Sequence, residues 1–398
     1  MHLTREEEEV LAGEAGEGRR WAMELLVGLG RIFGAEDLVP IRSAQLAGVS
    51  YKTIGEPGLQ WLQDVSRSSV VSVPAMLNPA GMDPNRWQEM GVPEKFATKQ
   101  RAILRTYNRM GVELTCTCTP YLIGRSPGFG EHVAWSESNA VSYCNSVVGA
   151  RTNREGGPSA LAAAVVGKTA RYGLHLPTNR VPTSVVVVDP GDTNVDYGAL
   201  GVLVGRELGN AVPYFRGIRP TTDELKTLGA AMAASGAIAL FHVRGVTPEA
   251  QAGMEPEPGL DTLRVGPEEL EATQRSLSAS VREQDVDLIT IGCPHVSIDE
   301  LEEIAQFLKG RRRRRNAPQL WVCTSKEVRK LGTEAVKVIE GFGQVLVDTC
   351  MVVAPIEEVA SVTATNSGKA ATYLPLEAFC GQRVLYRSIP MLLSLLVE

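Results

Sequence analysis

What this sequence has little of already narrows its chemistry. Five histidines are scattered at His2, His132, His175, His242 and His295, without an HExxH pair or zinc-finger spacing, so a histidine-built zinc site is not expected. No G-x-S-x-G elbow occurs, which leaves a serine hydrolase without support. No apolar run approaches the length that spans a bilayer, and the charged start "MHLTREEEEVLAGEAGEGRRW" lacks the apolar core of a signal peptide. The expectation is a cytoplasmic protein that does not engage a membrane. A formal net charge of −6 argues against nucleic acid, which needs a basic footprint to neutralise phosphates. The contrary feature, Arg311 to Arg315, follows the helical pattern "SIDELEEIAQFLKG" and reads as a solvated helix end, where cations suit the macrodipole.

Cysteine is sparse as well: seven in 398 residues, an odd number without a disulfide framework, so free thiols or metal ligands are expected rather than bridges. The length calls for two or three cores. Helical periodicity over residues 4–34 opens a helical segment, 1–67, expected to pack with the C-terminal region. Residues 68–180 alternate short apolar strands, at Val70 to Val73 and Val112 to Cys116, with helices, the pattern of layered α/β structure. From "RVPTSVVVVDPGD" the alternation becomes regular, and continuous apolar strands point to a parallel sheet of βαβ units over 181–348. Residues 349–398 are expected to complete a central cleft.

Two glycine-rich stretches are decoys. "GLGRIFG", Gly28 to Gly34, follows an amphipathic helix where a dinucleotide turn needs a strand. "AAAVVGKT", Ala162 to Thr169, has alanine where a phosphate loop needs its first glycine.

The cysteines separate by setting. Cys144 in "AVSYCNSVVGA" and Cys380 in "LEAFCGQ" read as small buried hydrophobes. Cys118, Cys293, Cys323 and Cys350 sit where apolar strands end, and parallel sheets place ligands outside the carboxyl ends of their strands. Thiols far apart in sequence can thus converge on a soft-metal or iron–sulfur site. Proline beside or near Cys118, Cys293 and Cys350 favours those three, Cys323 runs straight into a helix, and Cys116 shares a strand face with Cys118; the residues alone leave the choice open.

Several long segments in order, "ELTCTCTPYLIG", "GEHVAWSESNAVSYCNSVVGARTNREGGPSAL", "IGCPH", "DTCMVVAP" and "TNSGKAATYLP", resemble the aconitase X family over nearly the whole chain. The resemblance implies an aconitase-like α/β fold, with layered units and mainly parallel sheets around a cleft. It also implies a 4Fe-4S cluster on Cys118, Cys293 and Cys350 with one iron open to substrate. A chain near 400 residues without an appended swivelling domain implies the two-subunit form, in which a separate small subunit supplies the base. The reaction implied is dehydration of (R)-5-phosphomevalonate to trans-anhydromevalonate 5-phosphate, with Glu137 and Ser138 at the chemistry. Gly48, Val49 and Ser50, Asn78 and Pro79, and Gly368 and Lys369 are implied as substrate contacts. Each has a plainer reading: turns at Gly48–Ser50 and Asn78–Pro79, and an ordinary helix-start carboxylate at Glu137. Two other functions remain open here, a cis-3-hydroxy-L-proline dehydratase and a non-catalytic iron–sulfur sensor or electron carrier. The last would need a fourth thiolate such as Cys116 or Cys323.

Overall fold

Three mostly separate parallel sheets divide the chain. The structure is a computed structural model that describes residues 1–189, 191, 194–279 and 281–398. In the first sheet the strand Ala44–Leu46 lies between Ala75–Leu77 and Ala134–Trp135. The helix Gly157–Val166 covers it; this helix is almost wholly Ala, Val and Leu, and such an all-round apolar helix must be buried between layers. Outside it packs the amphipathic helix Glu17–Ile32, burying Ala22, Met23, Leu26 and Val27 in the same core.

The β-branched run Ser184–Val188 forms the second sheet with Pro213–Arg216, His242–Val243 and Thr262–Val265. In the third, the order is Gln344–Val347, Gln319–Thr324, Leu288–Ile291, Val362–Thr365, Arg383–Tyr386, all parallel. Alternation along its strands makes two cores. Ile289, Ile291, Leu320 and Val322 face one set of helices, while Leu288, Trp321 and Cys323 face inward with Met82 and Val202 from the other units.

The single sheet expected from Ser184 to Val347 is therefore two sheets. Its second part recruits two strands from beyond residue 349, and Ala44–Leu46, inside the segment expected to be helical, is a central strand. Apolar alternation reports that a strand is buried but carries no information on which strand it pairs with. Val70 to Val73 is not a strand; the pairing begins at Ala75. Val112 to Cys116 runs beside Ala75–Leu77 with one bridge, Met76 to Glu113, and Cys116 turns it aside with φ of 44°.

The carboxyl ends of the first and third sheets meet. From the first come the loops after Leu46, Leu77 and Trp135; from the third come those after Ile291, Val347 and Thr365. In both sheets the chain order reverses beside the central strand, and such switch points open crevices at the carboxyl ends. A parallel bridge from Ala80 to Thr349 joins the two sets of loops. Among the described residues no helix is long and apolar enough to cross a membrane.

Candidate active site

Each loop at this junction is shaped by its own chemistry. Gly292 takes φ of 105°, and a Cβ there would lie 2.2 Å from the Cys323 carbonyl oxygen, so only glycine lets the chain turn from Ile291 to Cys293. Gly48, with φ of 77°, turns the chain after Leu46. The buried Gln100 then braces this loop, donating to the Val49 carbonyl (2.7 Å) and accepting from the Tyr51 amide (3.1 Å). Cys350 donates its backbone N–H to the Ala80 carbonyl at 2.9 Å, which sets it beside Asn78 and Pro79. The Cys118 carbonyl accepts from Asn139 Nδ2 at 3.1 Å, on the helix Ser138–Tyr143 that Glu137 caps.

These loops enclose a cavity of about 370 Å³. All the residues expected for the site line it except Gly368. Gly368 instead packs against the helix Tyr197–Leu208, where a Cβ would meet the Gly198 carbonyl at 2.6 Å, so its smallness serves contact between units. Ser50 lines the cavity, but its hydroxyl donates to the Val353 carbonyl at 2.7 Å and accepts from the Lys52 amide as a helix cap. Asn78 Oδ1 is buried with no hydrogen-bond partner among the described residues, a free acceptor for a bound molecule.

Glu137 and Lys369 form an ion pair on the wall. Glu137 Oε2 caps its helix by accepting from the Ala140 amide (2.8 Å); Oε1 accepts from Lys369 Nζ and from the Ser138 hydroxyl (3.1 Å). Burial pushes the carboxyl up, but the ammonium and the backbone donors outweigh it and hold Glu137 below the usual carboxylate range. Lys369 is depressed by burial and raised further by Glu137 and by the Cys293 and Cys118 sulfurs, so it stays charged. Two of its three protons go to Glu137 and Ser138 Oγ (3.0 Å), leaving one donor.

Cys118, Cys293 and Cys350 are partly buried and share this wall. Burial raises all three thiols, Cys293 to about 12, and Lys369 pulls each back down. Among the described residues no three His, Cys, Asp or Glu side chains converge closely enough to hold a single metal ion. Three separate thiols around one cavity suit a multi-iron cluster, which takes one thiolate per iron, better than a lone cation. Cys116 and Cys323 do not line the cavity. Cys116 is buried in the first core instead of standing behind Cys118 on a strand, and Cys323 is buried in the inward face of the third sheet.

Two basic side chains on the wall, Arg154 and His295, were not among the residues expected. Arg154 is exposed to the cavity and forms no ion pair among the described residues. Its bridge to Trp135, the strand before Glu137, places it there, a pairing without a local sequence signal. His295 also lines the wall; its spacing of two from Cys293 was a visible cue.

The fold and this thiol-and-ion-pair cavity define an aconitase-like protein, and family models for the first, second and third domains of aconitase X match residues 1–178, 182–275 and 286–398. The chain belongs to the aconitase X family. It is 50% identical to the phosphomevalonate dehydratase large subunit of Methanosarcina mazei over 97% of this chain and 94% of that one. It is 35% identical to the cis-3-hydroxy-L-proline dehydratase of Pseudomonas aeruginosa, over 92% of this chain and 65% of the relative. The crystal structure of the holo-form of Thermococcus kodakaraensis aconitase X superposes with a TM-score of 0.91 at 45% identity, covering 98% of this chain and 99% of that one.

Proposed function

We propose that this chain is the large, cluster-bearing subunit of a hydro-lyase that converts (R)-5-phosphomevalonate to trans-anhydromevalonate 5-phosphate in an archaeal-type mevalonate route to isoprenoids. The observation that carries the reading is the convergence of three thiols and the Glu137–Lys369 pair on one cavity, in a chain half identical to a phosphomevalonate dehydratase large subunit. Cys118, Cys293 and Cys350 are the residues that would hold a 4Fe-4S cluster. With three thiolates such a cluster keeps one iron without a protein ligand, and that iron supplies Lewis acidity toward a substrate hydroxyl. The absence of Cys116 and Cys323 from the wall favours this arrangement over an electron carrier with every iron ligated.

Glu137 is kept ionised, so its part is to accept a hydrogen bond from the departing hydroxyl or water rather than to donate a proton. The remaining Lys369 proton suits the substrate carboxylate, while Asn78 Oδ1 accepts from a hydroxyl. Glu137, whose pKa is lowered by Lys369, is a weak proton acceptor, and His295 has both ring nitrogens engaged, so neither is suited to take the C2 proton. That supports a base on the separate small subunit.

The phosphate of the substrate calls for a cation, and Arg154 offers a guanidinium on the wall that forms no ion pair among the described residues. A charge-assisted hydrogen bond contributes about 1.5–3 kcal/mol. Arg154→Ala is therefore expected to raise KM for phosphomevalonate roughly tenfold to a hundredfold with a smaller change in kcat; an unchanged KM would remove Arg154 from the site.

The decisive assay is anaerobic reconstitution of the chain with iron, sulfide and the small subunit. Phosphomevalonate is expected to be dehydrated, cis-3-hydroxy-L-proline is not, and the chain without its partner is inactive. Turnover by the isolated chain would place the base here, and activity confined to the hydroxyproline would replace the substrate.

A further inference from the structure

All four polar atoms of His295 are engaged; two of the contacts reach the Cys118 loop and one the Cys350 loop, and His295 itself stands two residues after Cys293. Its backbone N–H donates to Cys118 Sγ at 3.3 Å. Nε2 lies 2.8 Å from the Thr349 carbonyl, next to Cys350. A carbonyl can only accept, so Nε2 carries the proton and Nδ1 is the acceptor of the Thr117 hydroxyl at 3.0 Å, next to Cys118. Thr117 Oγ1 can give its proton away because it accepts from the Thr119 amide at 3.1 Å. The His295 carbonyl accepts from Lys226 Nζ at 3.3 Å, a buried ammonium on the helix Thr222–Gly236 that also pairs with Asp223 and Glu300. The ring is almost fully buried, so these partners are not exchanged for water.

We propose that His295 is a positioning residue that ties the loops of Cys118, Cys293 and Cys350 into one unit, setting the spacing of the three sulfurs and donating an N–H···S hydrogen bond to one of them. The proposal rests on those three cysteines forming the site. The geometry divides the task. His295 itself stands two residues from Cys293, the Thr117 arm holds the Cys118 loop, and the Thr349 arm holds the Cys350 loop. Lys226 anchors the clamp to the second unit of the chain. An N–H···S bond lowers electron density on a thiolate, and such bonds are among the terms that set a cluster's reduction potential.

Site-resolved alkylation of the metal-free chain tests this without reference to substrate or cluster. In His295→Ala, Cys118 and Cys350 are expected to react with iodoacetamide about tenfold faster than in the parent, with Cys144 and Cys323 unchanged. His295→Gln, whose amide reaches the Nε2 position, restores protection to Cys350 but not to Cys118; Thr117→Val exposes Cys118 alone. After reconstitution the Thr117→Val protein is expected to keep its iron and show a shifted reduction potential. Equal rates at Cys118 in parent and variants, or a uniform rise across all seven cysteines, would overturn the proposal. Should His295→Ala fail to fold, Thr117→Val decides on the same two criteria. Loss of the phosphomevalonate assay with these alkylation patterns intact would count against the assigned reaction and leave the clamp standing.

Discussion

Replacing Cys350 by serine is expected to abolish both iron binding and dehydration, as is the same change at Cys118 or Cys293, whereas Cys323→Ser leaves both in place. A serine hydroxyl is neither soft nor ionised at neutral pH, so it cannot stand in for a thiolate toward iron. Lewis acidity at a leaving hydroxyl stabilises a transition state by several kcal/mol, so turnover should fall by roughly 10³-fold or more. Cys323 lies in the inward core with Leu346 and Trp321, away from the cavity. Serine there buries a hydroxyl among apolar neighbours, costing about 1–3 kcal/mol, and lowers the melting temperature without touching iron content. Visible absorbance, iron analysis and a melting curve on the four variants make the comparison. Bleaching by Cys323→Ser with retention by Cys350→Ser would reverse the assignment.

Lys369→Met is expected to have the second largest effect, on stability and on its pH dependence together. It leaves Glu137 buried without its counter-ion, a change that destabilises by about 3–5 kcal/mol. In the parent, Glu137 is held below its unfolded value, so its contribution is complete above about pH 4.3 and is lost as pH falls through the folded value. Lys369 is raised, so its contribution is complete below about pH 10.4 and is lost as pH rises through the folded value. Across the neutral range the pair therefore adds no slope. In Lys369→Met, burial is the dominant influence left on Glu137 and pushes it upward, so the carboxyl binds a proton in the folded state and stability rises as pH falls from 8 to 5. Glu137→Gln keeps iron and loses turnover, because the cavity wall then lacks its anionic acceptor. Urea unfolding at four pH values checks the slope; a Lys369→Met curve parallel to the parent would show that the pair does not hold Glu137 ionised.

Much of the site was legible because its residues mark their own positions. Cys118, Cys293 and Cys350 close apolar runs with a proline next to or a few residues beyond each, and Glu137-Ser138 opens a helix with a capping carboxylate, all short-range features. Other features failed for equally physical reasons. Gly368 suggested an open amide before Lys369, and it does not line the cavity; its lack of a side chain lets the helix Tyr197–Leu208 pack against it. Cys116 looked like a neighbour on the same strand face, and its φ of 44° breaks the alternation on which that depended. Arg154 carried no cue, since its place follows from a bridge to Trp135 rather than from its own neighbours.

Read along the chain, hydrophobic periodicity, turn residues and thiols at strand ends indicate layered α/β structure with candidate ligands, because these depend on interactions within a dozen residues; family membership came from the resemblance of several long segments. Whether the thiols meet depends on strand order, and strand order is set by hydrogen bonds between segments that periodicity does not pair. Lys369 and Glu137 are 232 residues apart, and they touch because two sheets present their carboxyl ends to one cleft. That juxtaposition turns an ordinary helix-start carboxylate into a buried group whose pKa is lowered by its counter-ion, since counter-ion and desolvation are properties of the packed cavity and not of either segment.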